Sequence, residues 1–257
     1  MDFVRRSLAL SPEGLADVAQ TLSVGAASIW AVLEVETSGC GFLEDRRPTI
    51  LYERHIFHRL TGGRFDDGDI SSPVCGGYGA FGGHQYDRLN RAIALDSNAA
   101  LQSASWGLGQ IMGENFREAG FASVEDMVSA MSDSEDAQLA AVAAFISARG
   151  FASALRAQDW STFARGYNGP AYAKNQYDIR LRGEFQKFCN GPTPDLRART
   201  AQLYLRYRGF SPGPVDGVPG HLTRCAVSQF QQQRGLPVTG EIDDALIAML
   251  APPAIPA

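Results

Sequence analysis

Two glutamates in the first quarter of the chain have the surroundings that acid–base chemistry requires. Glu36 closes an apolar stretch, 24–36, in which Val24, Ile29, Trp30, Val32, Leu33 and Val35 leave almost no polar side. At the C-terminal end of such a buried helix, desolvation and the negative end of the helix dipole both disfavour an ionised carboxyl and raise its pKa. Glu34, two residues earlier, points roughly 200° away around the helix and cannot share that face. Glu53 ends a short extended run, TILYE (49–53), where it is placed either to face the same cleft or to pair with Arg47 or Arg54. A proton-bearing carboxyl and a second carboxylate can together cleave an acetal such as a glycosidic bond. One protonates the leaving oxygen, and the other activates water or stabilises the oxocarbenium ion. A glutamate at a helix end is more often a solvated residue, so this reading needs support from the rest of the chain.

The elements that must hold these groups are mostly helical. Ser11-Pro12-Glu13 has the form of a helix start, with a serine cap and proline in the first turn, leading into 14–22. Ser23 is the expected cap of the apolar helix 24–36, which should end at Thr37-Ser38-Gly39. After the strand at 49–53 and a helical turn at 54–60, the stretch 61–83 is rich in glycine, aspartate and serine and reads as a long surface loop. Helices are then expected over 85–104, 108–119, 124–132, 135–149, 152–158, 160–167 and 172–189. The fold class that follows is mainly α with a small β element.

Asn190-Gly191-Pro192-Thr193-Pro194 is a turn-rich linker that divides the chain into 1–191 and 192–257. Beyond it lies a weak internal repeat. Val215-Asp216-Gly217 and the residues that follow are echoed from Val238-Thr239-Gly240 onward, and each copy runs into a helix. With a leading helix at 196–208 this makes a small three-helix domain, whose expected core is Leu205, Val227, Phe230 and Leu236.

Composition excludes several classes. The chain of 257 residues is 45% hydrophobic and 20% charged, as ordinary globular proteins are. Its net charge is −5, and 192–257 holds six arginines against five acids, so the acidic excess lies in 1–191. No basic surface points to nucleic acid. No run of about 18 apolar residues exists, so stable membrane insertion is not expected.

Other chemistries find less support. His55 and His58 are three residues apart and His84 lies in the loop, without the spacing of a zinc hydrolase. Cys40, Cys75, Cys189 and Cys225 are scattered and read as free thiols, and no histidine placement singles one out as a nucleophile. No metal and no cofactor are expected.

Four blocks, IWAVLEVETSG (29–39), LYERHIFHRL (51–60), SASWGLGQIMGEN (103–115) and FARGYNGPAY (163–172), resemble the phage-type N-acetylmuramidases of the lysozyme superfamily. The resemblance covers roughly residues 20–190. It implies a lysozyme-like fold, Glu36 as catalytic acid, Glu53 as second carboxylate, and Ser105, Gly107, Gln110, Tyr167 and Asn168 beside the substrate. Amides and hydroxyls bind sugar hydroxyls and N-acetyl groups, and aromatic faces stack on sugar rings; packing for Gln110 and a buried phenol for Tyr167 remain open alternatives. Residues 202–250 resemble the three-helix peptidoglycan-binding domain through Gln202, Leu205, Gly209, Asp216, Gly217, Gly220, Thr223, Ala226, Val227, Phe230, Gln231, Gly235, Leu236 and Gly240.

The resemblance thus implies an endolysin that hydrolyses the β-1,4 bond between N-acetylmuramic acid and N-acetylglucosamine, with peptidoglycan as partner and a monomeric state. A lytic transglycosylase, which needs one acid and leaves 1,6-anhydro ends, and a non-enzymatic wall-binding protein are the alternatives. Arg5 and Arg6 precede a stretch too short and polar for a signal peptide. Synthesis in the host cytoplasm, and action on the wall after membrane permeabilisation, are therefore expected. Residues 1–191 are expected to hold all the chemistry.

Overall fold

The computed structural model describes residues 3–36, 40–65 and 67–253; the expected helix stop at 37–39 lies outside the described residues. Helix α1 spans Pro12–Leu22, and the Ser11 hydroxyl accepts from the Gly14 N–H at 2.9 Å, as a serine cap should. Ser23 does not cap the next helix. It sits at φ 54° and ends α1, and α2 runs over Ala26–Glu36. Every residue of α2 from Ser28 to Val35 except Glu34 is buried.

The β element is a three-stranded antiparallel sheet of β1 (Ile50–Tyr52), β2 (Ala104–Trp106) and β3 (Ile111–Met112), in that order. Its register sets Leu51 opposite Ser105 and Ser105 opposite Met112. Helix α3 (Arg54–Leu60) follows β1, and α4 (Gly83–Ile93) and α5 (Ser97–Gln102) lead into β2.

The helices expected over 85–104 and 108–119 are therefore corrected. Asp96 interrupts the first by accepting from the Ala99 N–H and starting α5. Gly107 at φ 66° and Gln110 at φ 48° turn the second into a tight β2–β3 hairpin, since left-handed residues cannot continue a right-handed helix. A 3₁₀ turn, Gly113–Asn115, follows β3.

The remaining helices are α6 (Val124–Met131), α7 (Glu135–Ala148), α8 (Ala152–Arg156), α9 (Trp160–Tyr167) and α10 (Tyr177–Asn190). The stretch expected as one helix from 172 is divided by Gln176 at φ 53° into a 3₁₀ turn, Tyr172–Asn175, and α10. Helix α10 lies along α2, which also packs on α1, and α1 lies along α7. No single helix among the described residues is long and apolar enough to cross a membrane.

The second domain consists of α11 (Leu196–Tyr207), α12 (His221–Gln233) and α13 (Asp244–Leu250). Its sequence repeat has a physical basis. The Gln202 side-chain oxygen accepts from the Asp216 and Gly217 N–H groups, and that of Gln231 accepts from Thr239 and Gly240. In each copy a buried glutamine satisfies two backbone donors of the turn that follows. Leu236, expected in the core, is only half-buried; Leu203, Val215, Leu246 and Leu250 fill that place beside Leu205, Val227 and Phe230.

The two domains share a seam. Ala9, Cys40 and Phe42 of the first belong to the same apolar cluster as α11 and α12. At its centre Arg199 of α11 and Glu135 of α7, 2% and 0% exposed, form a bidentate pair, with Nη2 donating to Oε1 at 2.9 Å. Glu135 also accepts from the Leu10 N–H on Oε2 and the Gly41 N–H on Oε1, both at 2.8 Å. Burial alone would raise its pKa, but the guanidinium and the backbone donors bring it below the usual glutamate value.

Removing one partner of a buried pair strands the other charge. Arg199→Met is therefore expected to cost about 3–5 kcal/mol and to lower the melting temperature by on the order of 10 °C in the full chain. A fall under about 2 °C in differential scanning calorimetry would contradict the seam's importance. A fragment ending at residue 191 has the same unpaired Glu135 and is expected to melt below the full chain.

Candidate functional site

Glu36 is the last residue of α2 and lines a cleft of about 350 Å³ with Cys40, Phe42, Leu43, Thr49, Ile50, Leu51, Phe81, Gly82, Gly107, Gln110 and Arg206. Burial pushes its carboxyl up to about 6, while a hydrogen bond from Asn168 and the positive charge of Arg180 oppose the rise. Asn168 Nδ2 donates to Glu36 Oε1 at 2.7 Å. Arg180, from α10, donates to the carbonyl of Val35 at 3.0 Å, so it holds the end of α2 as well as acting on the charge. With Oε1 occupied by a donor, the proton of the neutral acid belongs on Oε2.

Asn168 is the C-cap of α9, and Tyr167 is that helix's last residue. The Tyr167 hydroxyl donates to the carbonyl of Gly109 at 2.9 Å, and its ring stacks on Phe163 and meets Phe145 edge-on. Burial, and secondarily the charge of Glu36, push this phenol well above its usual value. Tyr167 thus buttresses the hairpin turn that carries Gln110. A β-carbon on Gly109 would meet Val142 Cγ2 at 2.0 Å, so the turn also requires glycine there.

Gln110 spends its amide on the protein. Nε2 donates to the carbonyls of Gly107 (2.8 Å) and Thr49 (3.3 Å), and Oε1 accepts from the Ser105 hydroxyl at 2.8 Å. Ser105 and Gln110 are brought together, with Gln110 at the cleft wall and Ser105 behind it. Below them Gln138 receives the Leu108 N–H at 2.7 Å and donates to the Gly41 and Met131 carbonyls.

Glu53 follows β1 as the N-cap residue of α3; it is not among the residues that line the Glu36 cleft, to which β1 contributes Ile50 and Leu51. Its N–H is fixed on the carbonyl of Ser103 at 2.8 Å. Its side chain meets His55 Nδ1 at 3.0 Å rather than either arginine proposed for it from sequence. Arg54 instead donates to the carbonyls of Gly68 and Val74, and Arg47 pairs with Asp45. His58 faces Ser71 and His84 faces Asp87, so the histidines do not converge. Glu34 points away from the cleft, at the domain seam beside Arg199 and Asp216.

Sequence reasoning missed Arg180, Phe81 and Arg206. Phe81 is 73% exposed at the cleft mouth, where a bare aromatic ring has no folding reason to be. Arg206 comes from α11 of the second domain; it donates to the Cys40 sulfur at 3.4 Å and lies 3.6 Å from the exposed Glu44. Only Phe81, an aromatic flanked by glycines in the long loop, left any trace in the sequence.

Comparisons with known proteins agree on both parts of the chain. Residues 25–189 match the N-acetylmuramidase family, and residues 196–250 match a peptidoglycan binding domain. A crystal structure of the Burkholderia AP3 phage endolysin is similar with a TM-score of 0.65 and 39% identity, over 71% of this chain and 71% of that one. No curated protein matches the chain.

Because Asn168 donates to the ionised form of Glu36, its removal favours the neutral form. A hydrogen bond worth about 0.5–1.5 kcal/mol corresponds to roughly half to one pKa unit. The alkaline limb of kcat/KM, expected near pH 6 for the wild type, should move upward by that amount in Asn168→Ala. A downward or absent displacement would contradict the assigned contact.

Proposed function

The chain belongs to the N-acetylmuramidase family, and from that premise we propose that it is an endolysin cutting the β-1,4 bond between N-acetylmuramic acid and N-acetylglucosamine, with Glu36 as general acid. The observation that carries the role is the environment of Glu36: a carboxyl at the cleft whose pKa is pushed to about 6 by burial, so that it holds a proton where ordinary glutamates have lost theirs.

Catalysis then proceeds in one direction across the cleft. Glu36 Oε2 gives its proton to the glycosidic oxygen as the bond to the sugar carbon lengthens, and Asn168 stabilises the carboxylate left behind. Glu53 is the second carboxylate of this reading, beside His55 and on a fixed backbone just past β1. It receives the proton of the attacking water or stabilises the positive sugar carbon. Phe81 offers its face to a sugar ring. Gln110, its amide held by Ser105 and by the Gly107 and Thr49 carbonyls, shapes the cleft wall against which the sugar lies, with Tyr167 bracing the turn. Arg206 at the cleft rim is the group that would meet stem-peptide carboxylates.

Peptidoglycan is the partner of both domains. The second holds the enzyme on an insoluble polymer and raises the local concentration of bonds without touching the transition state. Action on the wall after synthesis inside the host, by a monomer without nucleic-acid contacts, completes the reading.

Glu36→Gln keeps the shape and the Asn168 contact but has no proton to give. Clearing of a suspension of purified walls should fall to background with an unchanged circular dichroism spectrum, and a rate within tenfold of the wild type would sink the assignment. Glu53→Gln should lose about 10²-fold or more; a normal rate would point to a single-acid reaction.

A further inference from the structure

We infer that Glu53, His55 and Cys75 form a binding site for a single zinc-class divalent cation. Their donor atoms all lie within 4.8 Å of one another, although they come from the end of β1, the first turn of α3 and the glycine-rich loop. A carboxylate, an imidazole and a thiolate make a donor set suited to Zn²⁺, with the fourth position left to water. In a tetrahedral site with bonds of about 2.0–2.3 Å the donors stand roughly 3.3–3.7 Å apart.

Two further observations point to a ligand. Glu53 Oε2 and His55 Nδ1 are buried atoms with no hydrogen-bond partner; they meet at 3.0 Å without hydrogen-bond geometry. Buried polar atoms are seldom left so. In addition, the loop bearing Cys75 is firmly anchored. Arg54 donates to the carbonyls of Gly68 and Val74, Gln85 and Arg88 both donate to that of Tyr78, and a β-carbon on Gly77 would meet the Arg54 guanidinium at 2.6 Å. Within this loop the Cys75 sulfur lies 3.9 Å from the Tyr78 hydroxyl, and its exposure gives a metal a way in.

Binding is a ligand exchange. The cation trades water for Glu53, His55 and the Cys75 sulfur, and the thiol proton passes to solvent. No redox step is involved. The consequence for activity rests on the proposed role of Glu53: a carboxylate committed to the cation can neither accept a proton from water nor stabilise a sugar cation, so the bound metal inhibits reversibly.

The test uses the full chain freed of metal by a chelator, with Co²⁺ as spectroscopic probe and Zn²⁺ as competitor. One equivalent of Co²⁺ should give a thiolate-to-cobalt charge-transfer band that Zn²⁺ removes. Cys75→Ser should abolish the band. Cys225→Ser should keep it, although Cys225 lies 3.4 Å from His221 Nε2 and is the rival thiol–imidazole pair. In wall-clearing assays Zn²⁺ should inhibit the wild type, with EDTA restoring activity. Cys75→Ser, equally active without metal, should need at least about tenfold more Zn²⁺. Absence of the band, or its loss in Cys225→Ser and survival in Cys75→Ser, would overturn the site. A band that depends on Cys75 together with undiminished activity would establish the site and remove Glu53 from the reaction.

Discussion

Glu135 is fully buried and ionised, and its two oxygens are shared among groups from three distant stretches of chain. The Leu10 N–H fixes the N-terminal segment, which also bridges to Ser134 through Leu8. The Gly41 N–H fixes the strip between Cys40 and Phe42 that floors the cleft. The Arg199 guanidinium fixes the second domain. A buried charge is tolerated only when all its oxygens are occupied, so these contacts form or fail together. Gln138, one turn along α7, repeats the device with neutral groups, linking the Gly41 and Met131 carbonyls to the Leu108 N–H. The wall-binding domain is therefore joined through a charge to the floor of the cleft it serves.

The carboxyl of Glu36 sits in that frame. Burial alone determines the direction of its pKa, while Asn168 and Arg180 limit how far it rises. That balance suits an acid that must donate in the reaction and then survive as a carboxylate. The hydrogen-bonded turn of Ser105, Gly107 and Gln110, braced by Tyr167, gives the opposite wall its shape. It does so without ordering costs at the moment of substrate binding.

Much of this was legible in the sequence because it is local. The apolar run before Glu36, the Ser11 cap and the repeated turns each rest on neighbouring residues. The β2–β3 hairpin was not legible, since 104–112 lacks the alternation of a half-buried strand, and its turn is made by a left-handed Gln110 held by tertiary contacts. Ser23 looked like a cap but takes the left-handed position that ends α1. The Glu135–Arg199 pair spans 64 residues and the Cys75 cluster is closed by a loop, and no spacing rule reaches either. Arg206 escaped notice for the same reason: it reaches the cleft only because the domains share a seam.

The central claim is a hydrolytic cut of the glycan strand by the Glu36 acid and a second carboxylate. Mass spectrometry of the soluble fragments released from purified peptidoglycan tests it most directly. Fragments ending in reducible N-acetylmuramic acid are the predicted result. Fragments ending in 1,6-anhydro sugars, or intact glycan strands with cut peptide stems, would contradict the account.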